Sequence, residues 1–264
     1  MMHCRLPHSL NPIISETAGE PSPVTAQRHA RFMPPFDCDT LATMSAVKAK
    51  ICGIINLEDA LAACEAGADY LGFIFWPPGK RSIAPTAARE ITRELRQQNP
   101  APQLVGVFVD ESAQYVASIL DQCDLDLAQL SGSEPPAHVG DPQSPLFGRS
   151  YKALRPTSLA EAQTDLEWYL PPQTSAGQPS LLLDAYHPHL PGGSGLRADW
   201  NLAAEIARDV PQLMLAGGLT PTNLAQAIEK VRPFAVDVAS GVETAPGHKD
   251  HALVRAFIAA AHNA

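Results

Sequence analysis

The chain has no run of lysine and arginine long enough to form a basic face, and its 19 basic residues against 28 acidic ones leave a formal net charge of −9. Binding along a phosphate backbone needs positive charge, so no nucleic-acid partner is expected. A small anionic ligand is not excluded, because a few backbone N–H groups and one or two arginines hold it locally whatever the overall charge. Paired cysteines are lacking too. The five at positions 4, 38, 52, 64 and 123 are odd in number, widely spaced and form no C-x-x-C. That is the pattern of a reduced chain, and a cytoplasmic setting is expected. Long apolar runs are also missing: Leu71 to Trp76 and Leu181 to Leu183 fall far short of the roughly 20 residues that a membrane-spanning helix needs. No apolar stretch follows the basic residues near the N-terminus, so neither a membrane role nor a secretory leader is expected.

What the chain does have is regular alternation. At 264 residues with 45% hydrophobic content, it can bury a large core, and a (β/α)₈ barrel typically takes roughly 250 residues as one domain. Residues 1 to 45 scatter proline, serine and histidine without any period and are expected to be a disordered extension. Met44 lies three residues before the first strand and has the position of a natural start. From there, apolar strands are expected at Val47–Ile51, Tyr70–Trp76, Leu104–Val109, Leu125–Leu130, Tyr151–Leu154, Ser180–Leu183, Gln212–Ala216 and Phe234–Ala239. Helical patterns separate them, including Asn56 to Gly67, Pro85 to Gln98, Pro221 to Val231 and a closing helix from about Lys249 to Ala261. Gly132 to Arg149 reads as a long loop with at most a short helix. The expected fold is therefore α/β, a single (β/α)₈ TIM barrel over residues 46 to 264.

In such a barrel, working residues sit at the C-terminal ends of strands. Cys52 follows strand one. On residue type alone it is a small buried hydrophobe, but at a strand end a thiolate with its pKa lowered by Lys50 or by substrate can act as base or nucleophile. Asp184 closes strand six, separated from strand one by two others around the ring, where an acid and a base could flank one substrate. Asp237, inside strand eight, is a rival acid with an expected structural role. Gly217 and Gly218 after strand seven, with Ser240 and Gly241 after strand eight, give two bare-backbone turns on adjacent strands, an arrangement suited to a phosphate. Gly193 and Gly195, in the GGSG of the loop after strand six, can close over it. Arg81 is either a solvated loop charge or a two-pronged clamp for a carboxylate. His187 and His189 form an H-x-H with no third ligand, which falls short of a metal site.

Taken together, KICGI, NLEDA, GADYLGFIF, KRSI, LVGVFVD, LLLDA, GGSG, AGGL and VRPFAVDVASGVE with PGHKDH resemble phosphoribosylanthranilate isomerase of tryptophan biosynthesis, from Val47 to about Ala261. The resemblance implies a barrel without metal or cofactor. It also implies an Amadori rearrangement of N-(5-phosphoribosyl)anthranilate with Asp184 as general acid, Cys52 as general base, Arg81 on the anthranilate carboxylate and the glycine turns on the phosphate. No obligate protein partner is implied, only a monomer or homodimer. The chain departs from the family pattern at Ile55, where threonine is usual, and at Ser131, where histidine is usual. The competing expectations are another phosphosugar isomerase on the same barrel, which would carry aspartates at the ends of strands one and five, and a phosphate-ligand binder without catalysis.

Overall fold

The computed structural model describes residues 46–171, 174–185 and 199–264. The expected disordered extension, together with His187, His189, Gly193 and Gly195, lies outside the described residues. Strands β1 (Lys48–Cys52), β2 (Tyr70–Ile74), β3 (Gln103–Phe108), β4 (Leu127–Leu130), β5 (Ser150–Leu154), β6 (Leu181–Asp184), β7 (Leu213–Ala216) and β8 (Ala235–Val238) run parallel in sequence order. β8 pairs back onto β1, Lys50 opposite Asp237, which closes the barrel. The expected fold class is borne out.

Side chains alternate across each strand, so Lys50 and Cys52 face inward while Ala49 and Ile51 face the helices. The inward set Tyr70, Val105, Leu127, Tyr151, Leu182, Met214 and Ala235 forms an apolar plug inside the barrel. The outward set packs under α1 (Leu57–Glu65), α2 (Pro85–Leu95), α3 (Ala113–Gln122), α5 (Leu159–Tyr169), α6 (Trp200–Ala207), α7 (Leu224–Val231) and α8 (His251–His262). Several helices begin at side chains that accept from orphan N–H groups: Asn56 caps α1, Ser112 caps α3, Ser158 caps α5 and Asp250 caps α8. The fourth is only α4 (Ala137–Gly140), within the long loop expected there.

Two boundaries differ from the sequence reading for identifiable reasons. α7 begins at Leu224 rather than Pro221 because the Asn223 side chain accepts from Thr220 N at 2.8 Å and donates to Gly218 O at 3.0 Å, holding 220 to 223 as a turn. The last helix starts at His251 rather than Lys249, because β9 (Glu243–Ala245) and β10 (His248–Lys249) form an antiparallel hairpin before the Asp250 cap.

A buried ion pair fixes the loop after β4. Lys152 Nζ donates to Glu134 Oε2 at 2.9 Å, with side-chain exposures of 4% and 1%. Glu134 also accepts from the backbone N–H groups of Asp110 and Gly132, each at 3.0 Å. Burial pushes the Glu134 carboxyl up, but Lys152 and the N–H donors outweigh it and hold it below the ordinary carboxylate value. Breaking such a pair strands a buried charge, so Lys152→Met is expected to cost about 3–5 kcal/mol in denaturant unfolding. The folded carboxylate is depressed, so the pair's contribution is complete above its unfolded value of about 4.3 and is lost as pH falls through the lower folded value. The stability gap between wild type and Lys152→Met is therefore expected to narrow on acidification, and a gap that stays constant would contradict the assignment.

Candidate active site

Cys52 is the last residue of β1 and is buried, with its thiol against β2: a Cβ added to Gly72 would stand 2.7 Å from Sγ. Two residues earlier on the same face, Lys50 has no exposure at all. Its Nζ donates to Gln129 Oε1 at 2.8 Å and Asp237 Oδ1 at 3.0 Å. Tyr151 Oη donates to the same Gln129 oxygen at 3.1 Å, and Gln129 Nε2 donates to Ser131 Oγ at 3.1 Å. This polar layer lies on the apolar plug and forms the floor of the mouth. Burial works against the Lys50 ammonium, but Asp237, Cys52 and Tyr151 outweigh it, and its pKa is raised. Asp237 thus has the largely buried, hydrogen-bonded place expected of it.

The expectation of a lowered Cys52 pKa is corrected here. Burial is the largest influence and pushes the thiol up; Lys50 and Lys249 pull it down without prevailing, while Asp237 adds to the rise. Proximity in sequence to Lys50 indicates the right cation. The depth of burial, which dominates, is not readable from that spacing.

Across the mouth, Asp184 ends β6 and lines a cleft of about 370 Å³ with Gly217, Gly218, Asp237, Ser240 and Gly241. The structure thereby brings together the β6 carboxylate and both glycine turns. Gly217 and Gly218 have φ of 102° and 65°, a region closed to most side chains. A Cβ at Gly241 would stand only 1.9 Å from Leu219 O, so the loops after β7 and β8 touch backbone to backbone. Arg155, just beyond β5, donates from Nε to Asp184 Oδ2 at 2.9 Å; the sequence reading does not include it, although its place at a strand end is a usable signal. A larger groove of about 980 Å³ runs along the outside of α6 and α7 and includes none of the strand-end groups.

Arg81 lies after β2, and its guanidinium already has a partner. Nε lies 2.8 and 3.0 Å from the two oxygens of Glu243, and Nη2 donates to Oε2 at 2.7 Å. A second carboxylate would have to meet its remaining Nη1 edge. Glu243 also receives Lys249 Nζ at 2.8 Å. Ile55, one of the departures, packs at the hairpin: a Cβ on Gly247 would stand 2.6 Å from its Cδ1. Among the described residues, no three His, Cys, Asp or Glu side chains gather in a group that could hold a metal ion, and no helix is long and apolar enough to cross a membrane.

Residues 49–260 match the family model described as N-(5'phosphoribosyl)anthranilate (PRA) isomerase. The N-(5'-phosphoribosyl)anthranilate isomerase of Geobacter sp. (strain M21) is 47% identical over 214 residues, 81% of this chain and 97% of that protein. Among solved structures, the phosphoribosyl anthranilate isomerase of Thermotoga maritima is 36% identical with a TM-score of 0.67, covering 83% of this chain and 100% of its own. A phosphoribosyl anthranilate isomerase in complex with reduced 1-(o-carboxyphenylamino)-1-deoxyribulose 5-phosphate is 35% identical with a TM-score of 0.65, at 83% and 100% coverage. Barrel, strand-end residues and likeness over four fifths of the sequence agree: the chain belongs to the N-(5'-phosphoribosyl)anthranilate isomerase family.

Proposed function

We propose that this barrel catalyses the Amadori rearrangement of N-(5'-phosphoribosyl)anthranilate to 1-(2-carboxyphenylamino)-1-deoxyribulose 5-phosphate, a step of L-tryptophan biosynthesis in the cytoplasm. The observation that carries the reading is a thiol ending β1 and a carboxylate ending β6 at the mouth of one barrel, the carboxylate lining a glycine-walled cleft. Asp184 acts as general acid and protonates the ribose ring oxygen, so that the C1–O bond breaks and the nitrogen lone pair forms a Schiff base. Cys52, as the thiolate, acts as general base and takes the C2 proton to become the thiol, and the electron pair flows into the imine to give an enolamine. Tautomerisation returns a proton to C1 and releases one from the C2 hydroxyl. C2 is oxidised, C1 is reduced and no atom is lost, so no external oxidant or reductant is required. The turns at Gly217–Gly218 and Ser240–Gly241 seat the phosphate, and Arg81 holds the anthranilate carboxylate.

A phosphosugar isomerase working with acids at the ends of strands one and five is disfavoured, since those places hold Cys52 and the buried Leu154. The enzyme is active as a monomer or homodimer.

Loss of a positioned acid or base lowers turnover by about 10²–10⁴. Asp184→Asn and Cys52→Ser are each expected to lose that much kcat with little change in KM, measured by the fluorescence decay of freshly made substrate. Near-normal turnover in either variant would remove that residue from its role. Gly241→Ala, which forces Leu219 O aside, is expected to raise KM roughly tenfold, the equivalent of about 1.4 kcal/mol, and to weaken inhibition by inorganic phosphate; a fall in kcat alone would place the phosphate elsewhere. Arg81→Ala should likewise raise KM.

A further inference from the structure

The hairpin after β8 serves neither the acid, the base nor the phosphate turns, yet it delivers a buried ammonium to the underside of Cys52. Lys249 Nζ donates to Cys52 O at 2.6 Å, Ala239 O at 3.2 Å and Glu243 Oε1 at 2.8 Å, which uses all three of its protons. Its side chain has no exposure. The Lys249 backbone is tied as well: its N–H donates to Asp59 Oδ2 at 2.9 Å, and Asp59 is held in turn by His251 at 2.8 Å and by Asn56 at 2.8 Å. One residue is thus fixed at both ends, to α1 through its amide and to the end of β1 through its head.

The charges around the thiol do not cancel. On its own strand Lys50 is matched by Asp237 of β8. Lys249 of β10 and Arg81 of the loop after β2 share the single carboxylate of Glu243, so one unit of positive charge is left beside Cys52. Tyr151 of β5 faces the same group and is kept neutral, with its pKa pushed up chiefly by burial. Retaining a buried ammonium costs several kcal/mol of desolvation, and an apolar side chain would suffice to seat a hairpin. The same positive charge opposes, without cancelling, the effect of burial on the thiol.

We propose that Lys249 is a positioning residue for the reaction: it fixes the end of β1 through the Cys52 carbonyl and supplies positive charge that favours the Cys52 thiolate, the form able to take a proton from carbon. Glu243 is its counterpart, dividing one negative charge between Lys249 and Arg81 so that the base and the carboxylate clamp are held by one group. This deepens the assignment of Cys52 as the base and rests on it.

The test reads the thiol apart from turnover. The rate of Cys52 alkylation by iodoacetamide is followed against pH, by mass spectrometry of the peptide carrying Cys52, in wild type, Lys249→Met and Glu243→Gln. Folding is checked by circular dichroism. Lys249→Met leaves Glu243 with Arg81 and is expected to move the alkylation profile to higher pH, with a rate about tenfold lower on its rising limb. In the isomerase assay it should lower kcat with KM little changed. Glu243→Gln removes the negative charge and is expected to move the profile the opposite way while raising KM through Arg81. Opposite movements support the proposal. An unmoved profile in folded Lys249→Met, or movement of both variants in one direction, overturns it. If Lys249→Met does not fold, Glu243→Gln decides alone, and an unmoved profile there overturns it. A wild type without isomerase activity but with opposed alkylation profiles would sink the proposed reaction and leave the positioning intact.

Discussion

An ammonium with no solvent exposure sits on the inner wall of this barrel, and the arrangement of the mouth follows from the need to satisfy it. Lys50 cannot be left alone at that depth. Asp237 matches its charge, Gln129 accepts from it, and Tyr151 and Ser131 complete the valences of Gln129. Five side chains from β1, β4, β5, β8 and the loop after β4 are thereby committed to one plane. Below it lies the apolar plug; above it the strand ends are available for chemistry. The layer acts as a floor, and it fixes the height at which Cys52 stands because that residue is two positions further along the same strand.

Alternation along a strand thus links packing to function. An inward residue two places past the floor faces the mouth, while Leu127 and Ala235, two places before Gln129 and Asp237, belong to the plug. β1 and β6 both end on such a mouth position, in Cys52 and Asp184. β7 and β8 instead run into glycine turns, and the contact of Gly241 with Leu219 O requires that no side chain intervene. Differences between strand ends, rather than between strands, distinguish the groups that move protons from the walls that seat an anion.

This explains what could be read from the sequence. Strand order, barrel closure and the placing of Cys52, Asp184 and the glycine turns depend on local periodicity and on counting, which the chain displays openly. The Lys249 bond to Cys52 spans 197 residues and the Asp59 bond to Lys249 spans 190; no local pattern carries such a pairing. The direction of the Cys52 shift is illegible for a related reason, since burial is set by elements remote in sequence. Arg81 reads as a solvated loop charge or a carboxylate clamp because its partner, Glu243, lies in a hairpin that a short run of mixed polarity does not announce. The start of α7 is displaced from its expected position by one asparagine side chain, a choice between cap and turn that sequence leaves open.

The pairing of β1 with β8 has a consequence for synthesis on the ribosome. β1 is made early, but its second edge and the partner of its buried Lys50, 187 residues away, come from β8. At synthesis rates of about 5–20 residues per second, the nascent chain carries an open strand edge and an unmatched lysine for roughly 10 to 40 seconds. During that time it is vulnerable to edge-to-edge association, so the demand for shielding falls on the emerging chain rather than on the finished barrel, in which β8 covers that edge.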